Sequence, residues 1–128
     1  LLRTDLGLTL DDFFWEPFYQ MLRQLMLAQR MEAAGEDGTT RVRLLHLSPA
    51  GNRDLHKVTS PRLREIGGVA QLDAFTAFQA CLAPVADGIP RFIPRTIDQV
   101  FAPILRAAAD QPWARYLIDR YPFATQSG

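Results

Sequence analysis

The sequence predicts a mixed α/β chain, rich in helix, with one buried strand at about 41–47 and three to four helices. Apolar residues recur at helical spacing after Pro17, across 69–83 and again after Thr96. A short run from Arg41 to Leu47 alternates polar and apolar and then becomes almost continuously apolar. Turn-forming residues separate the two kinds of segment. With 128 residues, 48% hydrophobic and 22% charged, the chain has the composition of one globular domain with a real core, or of part of one.

The elements follow in order. Leu6, Leu8 and Leu10 alternate with Gly7 and Thr9, a pattern for a short strand. Asp11 to Trp15 reads as a helical turn, and Pro17 opens the main helix, where its missing N–H costs nothing. Gly35 stops that helix after Ala34. Its apolar arc is Phe18, Met21, Leu22, Leu25, Met26, Ala28 and Ala33. On the other side Gln20, Arg23 and Gln24 cluster at i, i+3 and i+4, but Leu27 and Met31 hold the same face one turn later. Both faces of the second half are therefore expected to be covered. By composition alone, a Gln/Arg/Gln patch is solvated surface more often than the lining of a site.

After a turn at Glu36–Thr39, the strand Arg41–Leu47 reads as buried on both faces and ends at Ser48-Pro49. A lone buried strand leaves backbone donors and acceptors unpaired, so it needs sheet partners that the remaining residues do not fully supply. Ala50 to Pro61 reads as loop, with Leu55 to Val58 a candidate short strand. Pro61 opens a helical turn through Arg64 that Gly67-Gly68 breaks. A second helix is expected over Val69–Ala83, then a loop punctuated by Pro84, Gly88, Pro90 and Pro94. Thr96 caps a third helix over Ile97–Ala109 with Pro103 inside it, and Asp110 caps a fourth over Gln111–Tyr121. Ala124–Gly128 reads as a frayed tail. The chain opens at Leu1 within ordinary domain sequence, and we expect it to be part of something longer, with an N-terminal portion of its sheet elsewhere.

Fourteen basic and fourteen acidic residues cancel, but not locally. Residues 1–40 carry a net −4, residues 41–64 a net +5 and residues 65–128 a net −1. The basic stretch, with Asn52, His56, Thr59 and Ser60 as further donors, suits phosphate contacts. A stretch of this size equally often pairs with acidic surface, here the −4 segment. No apolar run is long enough to span a bilayer and no signal peptide is recognisable. The lone Cys81 suits a reducing compartment, so a cytoplasmic location is expected.

The sequence lacks the patterns of several chemistries. No HExxH, CxxC, GxxxxGK[ST] or GxGxxG motif occurs, and no metal ligands are assigned. His46 reads as a core or sheet histidine and Cys81 as a small core residue. Ser48 and Ser60 precede prolines, outside any nucleophile-elbow context.

The strings Glu16–Gln24, Leu27-Ala28 to Met31-Glu32, Arg41–Asn52 and Val58–Pro61 together resemble the C-terminal half of restriction-endonuclease-like proteins of the PD-(D/E)XK superfamily. The resemblance covers Asp11 to Gly67, with a looser likeness through Arg91-Phe92 and the last helices. It implies a helix-rich C-terminal portion of a restriction-endonuclease-like fold. In that superfamily the catalytic acids and the E-x-K lysine precede this helix and hold a divalent metal, usually Mg²⁺, that activates water for phosphodiester cleavage. This sequence departs from the pattern. Its one lysine is Lys57, position 55 is Leu55, and no D/E-x-K occurs.

The resemblance thus implies the non-catalytic C-terminal part of a metal-dependent DNA nuclease-like protein, whose Mg²⁺ ligands lie in an N-terminal portion outside these residues. Gln20, Arg23 and Gln24 would be accessory residues beside the scissile phosphate. Asn52, Arg53, His56, Lys57, Arg62 and Arg64 would contact DNA. A different class of function fits the residues as well: a helical protein-interaction module that docks through the basic loop.

Overall fold

The computed structural model describes residues 1–122, so the predicted tail at Ala124–Gly128 lies outside the described residues. Two strands, β1 (Leu44–Ser48) and β2 (Phe92–Thr96), and five helices form among them: α1 (Phe18–Ala34), α2 (Pro61–Glu65), α3 (Ala74–Ala80), α4 (Ile97–Ala107) and α5 (Pro112–Arg120). The mixed α/β character agrees with the sequence. The chain divides into two compact units, one of residues 1–45 and 54–93, the other of residues 46–53 and 94 onward.

The first unit has a phenylalanine core. Phe13, Phe18, Phe75, Phe78 and Phe92 are buried, with Phe78 edge-on to Phe13 (centroids 5.8 Å apart) and to Phe92 (5.0 Å). α1 turns Phe18, Met21, Leu22, Leu25 and Ala28 into this core at the spacing of one helix face. Gly35 ends it with φ +61°, its N–H reaching the Met31 and Glu32 carbonyls, a conformation in which a glycine costs least. The second half of α1 is covered on one face only, contrary to expectation, since Leu27 remains 60% exposed. The N-terminal segment is held against the end of α3, by Arg3 N–H on the Cys81 carbonyl and Ala83 N–H on the Leu1 carbonyl (both 2.9 Å).

Several boundaries move, each for a local reason. Leu6–Leu10 is no strand. Gly7 turns left-handed, and Thr9 N–H donates to Asp12 Oδ2 (2.8 Å), which starts a 3-10 turn over Leu10–Phe13. Pro17 precedes the first residue of α1 and does not itself lie inside it. Leu55–Val58 forms turns. Ser60 caps α2 through Leu63 N–H, with Pro61 in its first turn. The expected 69–83 helix is shortened to α3, because Asp73 Oδ1 accepts the Phe75 and Thr76 N–H groups and fixes its start.

The strand begins at Leu44, not Arg41. Val42 gives its N–H to Glu32 Oε1 (2.6 Å), while Arg41 and Arg43 both reach Asp87. The sequence-predicted loop between Pro90 and Pro94 contains β2, which the prolines disguise. β1 and β2 run parallel, with Leu44 N–H on the Arg91 carbonyl (2.8 Å). Along a strand the backbone polar groups alternate sides. Arg91, Ile93 and Arg95 therefore turn theirs toward β1, and Phe92, Pro94 and Thr96 away from it.

Several outward groups of β2 are occupied or missing. The Phe92 carbonyl accepts from Gln79 Nε2 (2.8 Å), Pro94 has no N–H and its carbonyl accepts from Arg95 Nη1 (2.8 Å), and Thr96 N–H donates to Gln99 Oε1 (2.9 Å). On β1 the outward groups belong to Leu45 and Leu47, and none of them bonds to another described residue. β1 was expected to be buried on both faces. Only the Leu44, His46 and Ser48 side is covered, because no described element packs over Leu45, 55% exposed, or Leu47, 36% exposed.

The second unit contains the α4–α5 pair. Gln99 caps the first turn of α4, and Pro103 sits inside α4 without ending it. Pro112 in the first turn starts α5. The core is small: Leu105 and Ala114, with Ile97, Ala108, Leu117 and Ile118 packed around them. α4 and α5 end two and one residues short of expectation, and Tyr121 falls just beyond α5.

Candidate nucleic-acid interface

Gln20, Arg23 and Gln24 all lie exposed on α1. Gln20 Nε2 donates to Glu16 Oε1 (3.4 Å), and the Arg23 guanidinium lies 5.4 Å from the centre of the Tyr19 ring. Phe14 meets Tyr19 edge-on at 5.8 Å, and Trp15 is also exposed. Arginine, amides and aromatics are thus gathered at the start of α1. Asp11 and Glu16, both exposed, add negative charge to the same stretch.

The basic stretch is engaged residue by residue. Lys57 Nζ pairs with Asp54 Oδ1 (2.6 Å), and Arg62 Nη1 with Glu65 Oε2 (3.0 Å). Arg64 Nε donates to the Val58 carbonyl (2.7 Å). His56 meets Phe75 edge-on, with its Nδ1 3.8 Å from Asp73 Oδ1. Asn52 and Arg53 belong to the second unit, where Arg53 is exposed and has no ion pair among the described residues. The acids that pair with the basic stretch are not mainly those of the N-terminal segment. Asp54, Glu65 and Asp87 are closer in the fold, and Glu32 alone is reached from the −4 segment.

Glu32 is a hub that the sequence did not reveal. Only 13% of its side chain is exposed; Oε2 accepts from Arg91 Nη1 (2.6 Å), Oε1 accepts from Val42 N–H, and Arg41 Nε lies 3.9 Å away. The Arg91 guanidinium, then the Val42 N–H, hold its carboxyl below the usual glutamate range. Asp87 is held down chiefly by the Ile89 N–H, and Asp54 by Lys57. Cys81 is fully buried, and desolvation pushes its thiol up to about 11, so it stays protonated near neutrality and is no nucleophile.

A second group of exposed rings lies on α5. Trp113, Tyr116 and Arg120 stand at i, i+3 and i+7, opposite the face that carries Ala114 and Ile118. The Arg120 guanidinium lies 5.7 Å from the centre of the Tyr121 ring. Helical spacing of aromatic and arginine residues is the signal in the sequence that points to this group.

Among the described residues no group of three or more His, Cys, Asp or Glu side chains could hold a metal ion. The carboxylates of Glu32, Asp54, Glu65 and Asp87 each face arginine or lysine. Such a donor set does not fit a divalent cation. None of the helices among the described residues is long and apolar enough to cross a membrane.

Comparison with known proteins gives one match. The family model described as "Restriction Endonuclease associating with ARP" matches residues 3–122. No curated protein and no solved structure matches the chain. The chain belongs to this restriction-endonuclease-like family, and its role is nuclease-related.

Proposed function

We propose that this chain forms the C-terminal, DNA-contacting part of a metal-dependent nuclease of the restriction-endonuclease type, and that it does not cut DNA by itself. The open edge of β1 carries the reading. Leu45 and Leu47 present unbonded backbone groups and apolar side chains, as a strand does when further strands of its sheet are supplied from elsewhere. The catalytic acids and lysine would come with those strands, since this sequence has no D/E-x-K. The chain's own contribution is electrostatic and positional. Arg53 and the basic residues Lys57, Arg62 and Arg64 exchange counterions for DNA phosphates, with Asn52 and His56 as hydrogen-bonding groups. Gln20, Arg23 and Gln24 serve as accessory residues near the scissile phosphate.

The test is direct. The 128-residue protein is expected to bind duplex DNA with affinity that falls as salt rises, and to leave it uncut in Mg²⁺. Combined removal of the charges at Arg53, Lys57, Arg62 and Arg64 should lower both affinity and salt slope. Absence of any DNA binding, or cleavage by the chain itself that EDTA abolishes, overturns the reading. A second reading is a helical protein-interaction module that docks through the basic loop. The words "associating with ARP" in the family description and the exposed Phe101 and Ile104 on α4 favour it. DNA-independent capture of a companion protein, lost when the loop charges are removed, would support it.

A further inference from the structure

We infer that the outer face of α5, formed by Trp113, Tyr116 and Arg120 with Tyr121 beside them, is a stacking surface for the unpaired bases of a single nucleic-acid strand. This inference rests on the DNA-directed reading above and adds a site that neither the basic stretch nor the α1 patch contains.

Exposure is the first argument. Trp113 is 49% and Tyr116 59% exposed, although the unit has only a small apolar core that either ring could have enlarged. Spacing is the second. Three and four residues along a helix correspond to rises of about 4.5 and 6 Å. That is wider than the 3.4 Å advance per nucleotide of a stacked duplex strand, so the rings suit bases that have been splayed apart.

Charge is the third argument. The second unit carries Arg53, Arg95, Arg106, Arg115 and Arg120 against Asp98, Asp110 and Asp119, a net +2. None of these five arginines is ion-paired among the described residues. Arg115 and Arg95 donate to backbone carbonyls, and Arg120 lies against the Tyr121 ring. Arg120 Nε donates to the Tyr121 hydroxyl (3.3 Å), and a guanidinium placed beside a ring without a carboxylate partner offers a nucleotide a counter-charge next to a stacking surface.

The chain has two tryptophans, Trp15 and Trp113. A Trp15→Phe variant of the whole protein therefore leaves Trp113 as the reporter. Its emission is expected to be quenched on titration with a short oligothymidylate, and less so with blunt duplex DNA. Tyr116→Ala and Arg120→Ala, checked for folding by circular dichroism, should each weaken single-strand binding about tenfold. DNA binding seen by anisotropy, with Trp113 silent and both variants unaffected, overturns the stacking surface and leaves the DNA-directed reading standing. No binding of either DNA overturns both. A Trp113 signal that grows with protein concentration in the absence of DNA overturns the inference in favour of contact between copies of the chain.

Discussion

The two units of this molecule spend their side chains differently. The first buries five phenylalanines and closes six of its nine cations into ion pairs, several with the carboxylates that also receive backbone N–H groups. The second buries only Ala102, Leu105 and Ala114 among its apolar described residues, leaves Phe101, Ile104, Trp113 and Tyr116 exposed, and pairs none of its five arginines among the described residues. Aromatic and cationic groups that are satisfied internally hold a fold together. The same groups left unsatisfied are available to something else.

The comparison can be broken at its strongest point. Phe78→Ala removes a ring that touches Phe13, Phe18 and Phe92, and should cost about 3–5 kcal/mol in denaturant unfolding. A loss under 1 kcal/mol would mean that the phenylalanine core does not dominate the first unit. Leu105→Ala, in the small core of the second, should cost about 2 kcal/mol, at the low end for such a truncation, because few large side chains surround it. In a Trp15→Phe background, Trp113 emission reports on this unit. Asp73→Ala should cost about 1 kcal/mol, the usual worth of a capping side chain, since the Phe75 and Thr76 N–H groups lose their acceptor.

The smallest effect concerns Glu32; it is fully expressed at neutral pH and fades with acid. Its folded carboxyl titrates below the ordinary 4.5, so the unfolded chain takes up the proton first. The stabilisation is fully present above the ordinary glutamate range and is lost as pH falls through the lowered folded value. Glu32→Gln should therefore flatten the acid limb of a plot of melting temperature against pH. An unchanged limb would show that the hub with Arg91 and Val42 contributes nothing to acid sensitivity.

What could be read from the sequence follows a physical divide. α1, α4 and α5 were legible because proline, glycine and capping residues mark their ends, and because an amphipathic helix writes its period locally. β2 was not, because Pro90 and Pro94 carry the signature of a loop, and only pairing with β1, almost fifty residues away, makes Phe92–Thr96 a strand. Asp73 lies inside the expected 69–83 helix, although its role is to begin α3. At the candidate interface the charge excess of 41–64 is visible, and so are the local Asp54–Lys57 and Arg62–Glu65 pairs, but the pairing of Arg41 and Arg43 with Asp87 is set by the fold. The α5 stripe is present in the spacing of Trp113, Tyr116 and Arg120, but which of the neighbouring stripes of the helix faces the core is decided by packing, here around Leu117 and Ile118.

The obstructed outer edge of β2 bears on how this sheet can grow. A sheet with two open margins can add strands at both and propagate without limit, which is the geometry of fibres. Here Gln79, Pro94, Arg95 and Gln99 obstruct most of one margin, and among the described residues β1 offers the freer hydrogen-bonding edge. Two copies joined through β1 would therefore have only obstructed margins left, and edge-to-edge growth would stop at a pair. The proline that disguised β2 in the sequence thus also works as a terminator, giving the sheet one direction in which to be completed.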